Sequence, residues 1–270
     1  MTQHSVGALT YFTSPLLPIP HAFSARTGGV SPPPFDTLNL GRAGEDSRDN
    51  ILENYARFCT AIGVDREALV FTRQVHGGGV RAVGPEQAGE GLYGNSPDCD
   101  GLVTGTPGLP LTVFSADCVP ILLYDPAHRA VGAVHAGWRG TALGIVRQAA
   151  VLMGKRFGTR PSGLRAAIGP AIGMCCFETK SDVPEALFNS EFGIRNSEFS
   201  RMIRPCEKPD RFRVDLKAVN AALLADMGVG SDHIDVSDAC TCCQPDLFFS
   251  HRRCGARRGL QAAVVSIDNI

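Results

Sequence analysis

Six short apolar runs set the strongest limit on how this chain folds: LTVFS at 111–115, ILLYD at 121–125, VGAVH at 131–135, LRAAI at 164–168, LFFS at 247–250 and AAVVSI at 262–267. Each has the length of a strand, and several are apolar at even and odd positions alike. Strands of that kind are covered on both faces by other layers. Between them lie segments of helical period. Residues 47–62 place Ile51, Tyr55, Phe58 and Ile62 on one face, with Ser47 as N-cap and Asp49 in the first turn. Residues 141–157 repeat the pattern through Leu143, Val146, Ala150, Met153 and Phe157, and residues 216–227 open on Asp215 and stop at Gly228. The alternation predicts an α/β fold, a single layered domain over 1–270. SARTGGVSPPPF is too rich in Gly and Pro for regular structure, so 1–45 reads as an N-terminal segment whose loop packs on that domain.

Composition removes several function classes. A net charge of −1 supplies no basic field for a nucleic-acid backbone. No window reaches the roughly 18 uninterrupted apolar residues of a membrane span. The opening MTQHSVGALTYF has neither a basic n-region nor a long apolar stretch. A cytoplasmic protein is expected, with its ten cysteines reduced. Such thiols act as small buried hydrophobes, as ligands or as nucleophiles.

Three segments carry a metal-capable side chain where an apolar run meets a turn: His76 in FTRQVHGGG, Cys118 in FSADCVPILLYDP and His135 in GAVHAGWRG. Two imidazoles and a thiolate suit Zn²⁺ with a fourth position open to water or substrate. An open position lets the ion acidify bound water and polarise oxygen. Each histidine taken alone is as readily a hydrogen-bonded structural residue. Gly77, Gly78, Gly137 and Gly140 flank the two histidines and give close access to the backbone.

The chain resembles the YfiH-type proteins, also known as laccase-domain proteins or multicopper polyphenol oxidases and described as purine nucleoside phosphorylases. The stretches that carry the resemblance include RTGGVS at 26–31, LNLG at 38–41, QVHG at 74–77, DCDGLVT at 98–104, SADCVPILLYDP at 115–126, VHAGWRGT at 134–141, AIGPAIGMCCFE at 167–178 and FFSHRR at 248–253. The resemblance implies an α/β/β/α layered fold similar to the catalytic domain of cytotoxic necrotizing factors. It implies a zinc centre on His76, Cys118 and His135, with copper possible at the same ligands. It also implies phosphorolysis of adenosine, inosine and methylthioadenosine, with adenosine deamination as a second activity, so the partners would be a nucleoside and phosphate. The family often has Gly-Arg-Gln after the FFS segment. Here RRGLQAA puts Leu260 at that arginine, leaving Arg257 or Arg258 to substitute.

Phosphorolysis needs an anion held against the ribose C1′, a task for guanidinium groups that engage two oxygens at once. Arg26, followed by Gly28 and Gly29, and Arg139, just before the helix at 141, are the candidates. Arg139 reads equally as a surface salt-bridge residue. Asp98 reads as a turn former, and Asp100 either as the same or as a carboxylate that orients a ligand histidine. Glu178 is a candidate acid or base. Trp138 packs or stacks on a purine, and Cys175 and Cys176 pack or line the pocket. Cys240 and Cys243 have C-x-x-C spacing, and Cys242 and Cys254 lie near enough in sequence to complete a four-thiolate site, or all four are buried or reactive thiols.

Two other readings compete. A copper-dependent polyphenol oxidase of the multicopper type needs about ten histidine ligands, and the chain has seven histidines. A cysteine hydrolase or amidase would use Cys118 as nucleophile and His135 as base, and the resemblance, through the family's link to peptidoglycan editing, implies cell-wall precursors as its substrate. Metal separates these, because a thiolate committed to zinc is a poor free nucleophile.

Overall fold

The structure, a computed structural model, describes residues 1–41, 46–91, 96–190 and 201–268. Two six-stranded sheets pack face to face. The first comprises β1 (Thr2–Val6), β2 (Leu9–Thr13), β3 (His21–Ser24), β4 (Val70–Phe71), β7 (Leu111–Ser115) and β15 (Gln261–Val265), in the order β1-β2-β3-β15-β7-β4. The second comprises β5 (Val80–Ala82), β6 (Gly101–Thr104), β8 (Val119–Asp125), β9 (Ala130–Ala136), β10 (Arg165–Ile168) and β14 (Ile234–Val236), in the order β14-β10-β8-β9-β6-β5. A small third sheet holds β11 (Glu178–Thr179), β12 (Ile203–Pro205) and β13 (Phe212–Val214).

The strands expected to be apolar on both sides are buried on both sides. Leu122 of β8 faces the layer between the sheets, while Ile121 and Leu123 face outward onto helices. In β15, Ala263 and Val265 point between the sheets, and Ala262 and Val264 point to the other face. Helix α1 (Arg48–Ile62) covers the first sheet with Tyr55 and Phe58. Helices α3 (Ile145–Phe157) and α4 (Leu216–Asp226) cover the second with Val146, Met153, Val219 and Leu223. The result is the expected α/β/β/α stack. Burying each such side chain contributes about 1.5–3 kcal/mol, and each strand does so twice over. No helix among the described residues is long and apolar enough to cross a membrane.

The caps read from sequence hold: Ser47 accepts the Asn50 N–H at 3.1 Å and Asp215 accepts the Ala218 N–H at 3.0 Å. Four expectations need correction. The 141–157 helix is two, α2 (Trp138–Ala142) and α3, because Gly144 at φ 64° turns the chain into the left-handed region and leaves Leu143 exposed. Arg139 therefore sits inside α2 rather than before a helix. LFFS at 247–250 is no strand; Phe248 and Phe249 are buried from a turn whose N–H groups are paired locally, Phe248 to the Gln244 carbonyl. The 1–45 segment is more than a packed loop, since it supplies β1, β2 and β3; its residues 42–45 lie outside the described residues. Asn54 of α1 holds the Gly/Pro-rich loop, donating to Ser31 Oγ at 2.8 Å and to the Asn39 carbonyl at 2.9 Å.

Candidate functional site

β8 and β9 form a hairpin whose open end brings distant residues together. Val119 pairs with Ala136 and Pro120 with His135, so Cys118, just ahead of β8, lies beside His135 near the end of β9. His76 enters from the loop between β4 and β5. Its ring stands at 88° to that of His135, with centroids 4.9 Å apart. The three donor atoms lie within 4.8 Å of one another. Gly137 presses on the group, for a Cβ there would stand 3.1 Å from His76 Cδ2 and 3.3 Å from Cys118 Sγ.

Asp100 organises this cluster. It is fully buried immediately before β6, whose Gly101 pairs with Val134 of β9. Its Oδ1 accepts from His135 Nδ1 at 2.8 Å and from the His76 N–H at 2.9 Å. Its Oδ2 accepts the N–H groups of Gly77 at 2.8 Å and Val75 at 3.1 Å. These bonds hold His76 at φ 59°, a left-handed conformation costing a side-chain-bearing residue about 1 kcal/mol or more. They also direct the other ring nitrogen of His135, Nε2, away from the carboxylate, as in metal-ligating histidines backed by an acid.

Burial disfavours a thiolate at Cys118, yet its pKa falls to about 6 because the His135 charge and hydrogen bonds from His135 and His76 outweigh that penalty. Burial likewise opposes a charged His135, but the Cys118 charge and the Asp100 hydrogen bond carry it to about 9. In the metal-free protein both shifts favour the thiolate and imidazolium forms of the pair. Metal binding would release the imidazole proton. The cluster opens into a cleft of about 1180 Å³ lined by Tyr55, Phe71, Phe114, Trp138 and Phe177 among others.

Residues 20–268 match the family described as multi-copper polyphenol oxidoreductase laccase. The chain belongs to that family. A curated relative, purine nucleoside phosphorylase YlmD of Geobacillus stearothermophilus, is 35% identical, covering 97% of this chain and 95% of its own. The crystal structure of YlmD from the same organism superposes with a TM-score of 0.92 at 33% identity, covering 99% of this chain and 98% of that one. The Bacillus licheniformis hypothetical protein YfiH superposes at 0.90 and 32% identity, covering 97% of each chain.

Within this laccase-family frame the expected site residues divide. Asp100 proves to be the carboxylate behind His135, the alternative left open beside a turn role, whereas Asp98 pairs with Arg73. Arg139 lines the cleft, its guanidinium 4.2 Å over the Trp138 ring. Arg26 does not line it. Its guanidinium is consumed by the Asp36 carbonyl and carboxylate and the Pro245 carbonyl, and it lies 4.7 Å over the Phe249 ring. Gly28 and Gly29 serve close packing rather than an anion nest: a Cβ on either would fall within 2.5 Å of other atoms, and the Gly29 N–H is taken by Thr37 Oγ1. Glu178 is also away from the cleft lining; it stands in β11 with Arg213 3.9 Å from its carboxylate. Leu260 and Arg258 both reach the cleft. The Arg258 Nε is buried with no hydrogen-bond partner, and the Asp117 and Cys118 charges act on its guanidinium. The missing family arginine was the sequence signal for it.

Proposed function

We propose that the chain is a zinc-dependent purine nucleoside phosphorylase, cleaving adenosine, inosine and methylthioadenosine with phosphate, with adenosine deamination as a side activity, and that 1–270 acts as one cytoplasmic catalytic domain. The observation that carries the reading is the convergence of His76, Cys118 and His135 at the cleft, with Asp100 backing His135. The donor set fits zinc: two imidazoles, one sulfur already ionised near neutral pH, and a carboxylate fixing the ring. Zinc held there supplies a Lewis acid with one open position.

The remaining work belongs to the chain's own groups. The aromatic walls suit a purine face. Arg258 and Arg139 line the cleft, and their guanidinium groups suit phosphate oxygens. In phosphorolysis a phosphate oxygen bonds to C1′ as the bond from C1′ to N9 breaks, and the base leaves with that electron pair and takes up a proton. In deamination water adds at C6 and ammonia leaves.

Chromatography of zinc-loaded protein with adenosine, with and without phosphate, tests the reading. Adenine and ribose 1-phosphate are expected only with phosphate, inosine in both samples, and neither with His76→Ala. Arg258→Ala should raise the KM for phosphate about tenfold or more, the loss of one charge-assisted contact, while Arg26→Ala leaves it unchanged. Adenosine left intact by the wild type in both samples would overturn the assignment.

One observation favours a second reading. A thiolate at Cys118, beside a His135 held by Asp100, is also the arrangement of a cysteine hydrolase. Chelation decides: the phosphorylase loses activity with its metal, whereas the hydrolase keeps it and dies on alkylation of Cys118.

A further inference from the structure

A second group of metal-capable side chains lies apart from the first. Cys175 and Cys176 sit in the turn after β10, and Cys240 and Cys243 in the turn after β14. Their four sulfurs are all within 4.8 Å of one another. The Cys243 sulfur is 3.6 Å from that of Cys175 and 3.3 Å from that of Cys176. Cys242 and Cys254, expected from spacing to complete a site with the C-x-x-C pair, are replaced in the group by Cys175 and Cys176. The turn explains why: it directs the Cys240 and Cys243 side chains toward the 173–176 loop.

We propose that Cys175, Cys176, Cys240 and Cys243 bind a structural zinc ion that joins these two turns. Sulfurs about 2.3 Å from zinc at the corners of a tetrahedron are about 3.8 Å apart, close to the spacings found here. A disulfide needs about 2.05 Å and joins only two of the four. The turns are shaped for the task. The N–H groups of Cys243 and Gln244 close on the Cys240 carbonyl, and those of Cys176 and Phe177 close on the Gly173 carbonyl. The Gly173 N–H donates to the Cys240 sulfur at 3.2 Å, so each turn is tied to the other at the metal-facing side.

Charge fits as well. Zinc with four thiolates carries a net −2, which neighbouring cations offset. Arg252 donates to the Cys176 carbonyl at 2.8 Å, and Arg253 to the carbonyls of Thr241 and Cys242 at 3.0 and 2.8 Å. The buried Lys217 holds the Ala239 carbonyl at 2.8 Å, one residue ahead of Cys240.

The consequence reaches the cleft. Asp117, next to Cys118, accepts from Thr241 Oγ1 at 2.6 Å, Ser250 Oγ at 3.1 Å and the Arg252 N–H at 2.6 Å, and its carbonyl takes the Ile172 N–H at 2.9 Å. The ion would therefore brace the wall behind Cys118 without touching substrate.

The test needs no activity and stands whatever the first site does. Folded, zinc-loaded wild-type protein is pulsed with iodoacetamide and each cysteine is read by mass spectrometry, with the exposed Cys254 as internal control. Cys175, Cys176, Cys240 and Cys243 should each be alkylated at least tenfold faster after chelation than before it, with Cys254 unchanged. Zinc content should be two per chain, falling to one in Cys243→Ser and to one in His76→Ala. One zinc per chain that vanishes with His76→Ala, together with alkylation rates at Cys175 and Cys243 that chelator leaves unchanged, would overturn the proposal, as would a disulfide among the four in freshly purified protein.

Discussion

His76, Cys118 and His135 form one gathering of cysteine and histidine, and Cys175, Cys176, Cys240 and Cys243 form another, built on opposite terms. The first stands at the open end of the β8–β9 hairpin and on the loop before β5, offers three donors, and faces the cleft. Its support is a buried acid, Asp100. The second stands on turns and offers four sulfurs. Its supports are cations, Lys217, Arg252 and Arg253. Three donors backed by an acid leave a position for substrate, whereas four thiolates ringed by cations use every position on the protein itself. Sulfur ionisation follows the same division. At Cys118 the neighbouring imidazolium overcomes burial. At Cys240 burial is overcome by backbone N–H groups, first that of Gly173, which bring it to about 7. Burial and the neighbouring sulfurs push Cys175 up to about 11 and Cys176 upward too, a crowding that a bound cation would relieve.

The largest effect separates chemistry from architecture. His76→Ala should lower kcat/KM for phosphorolysis by about 10²–10³, several kcal/mol of lost Lewis-acid assistance, with a fall in Tm limited to the stabilisation the lost cleft ion supplied, since His76 itself is exposed. Cys243→Ser should do the reverse, lowering Tm by about 5 °C or more while kcat/KM in the folded fraction stays within a few-fold. Thermal melts and steady-state kinetics on both variants check this. Equal kinetic losses would erase the distinction between the two clusters.

Asp100→Asn sharpens it from the acid side. The amide gives up the charged hydrogen bond to His135 and turns an N–H₂ toward N–H donors from Val75, Gly77 or His76. Zinc affinity at the cleft should fall about 10–100-fold, with about 1–3 kcal/mol of stability lost. Competition with a chromophoric chelator should show the looser zinc alone shifting, the thiol-bound one unmoved.

How much of this was legible in the sequence depends on whether the interaction is local. The Ser47 and Asp215 caps were readable because the bonds they make lie three residues away. Cys118 and His135 were readable as neighbours of turns, and the hairpin between them did the joining. The three N-terminal strands were not legible: β1 is polar and largely exposed, and β3 finds its partner in β15 at the far end of the chain. Gly144 broke a helix whose apolar period ran straight through it. The arginine at position 26 looked free because nothing nearby in sequence shows that Asp36 and Pro245 fold back onto it. Cys175 and Cys176 join Cys243 only through the packing of two turns some 67 residues apart in sequence.

The pH profile of thiol alkylation gives a smaller effect. In zinc-free protein Cys118, with its pKa lowered to about 6, should remain thiolate from high pH down to about 6 and lose reactivity below it. Cys175, raised to about 11, should gain reactivity only as pH climbs toward that value. At pH 7.5 the two should differ about tenfold, after allowing for the weaker intrinsic nucleophilicity of a low-pKa thiolate. Coincident profiles read by mass spectrometry would mean that the His135 charge and the crowded sulfurs do not act as the geometry indicates.

The smallest effect comes from two glycines that play the same part at the two clusters. A Cβ on Gly137 would meet His76 Cδ2 at 3.1 Å and Cys118 Sγ at 3.3 Å, and one on Gly173 would meet Cys175 Sγ at 3.2 Å and the Cys240 Cβ at 3.4 Å. At neither position does the backbone demand glycine, since Gly137 has φ −68° and Gly173 is not among the positive-φ residues. The cost of alanine is thus a displacement of ligands by a few tenths of an ångström, not a refolded turn. Gly137→Ala should weaken cleft zinc a few-fold and leave the thiol-bound ion alone. Gly173→Ala should slightly speed alkylation of Cys175 and Cys240 and leave phosphorolysis alone. If instead either substitution loosens both ions, Asp117, which links the Cys118 segment to Thr241, transmits strain between the clusters, and they are two parts of one cooperative wall.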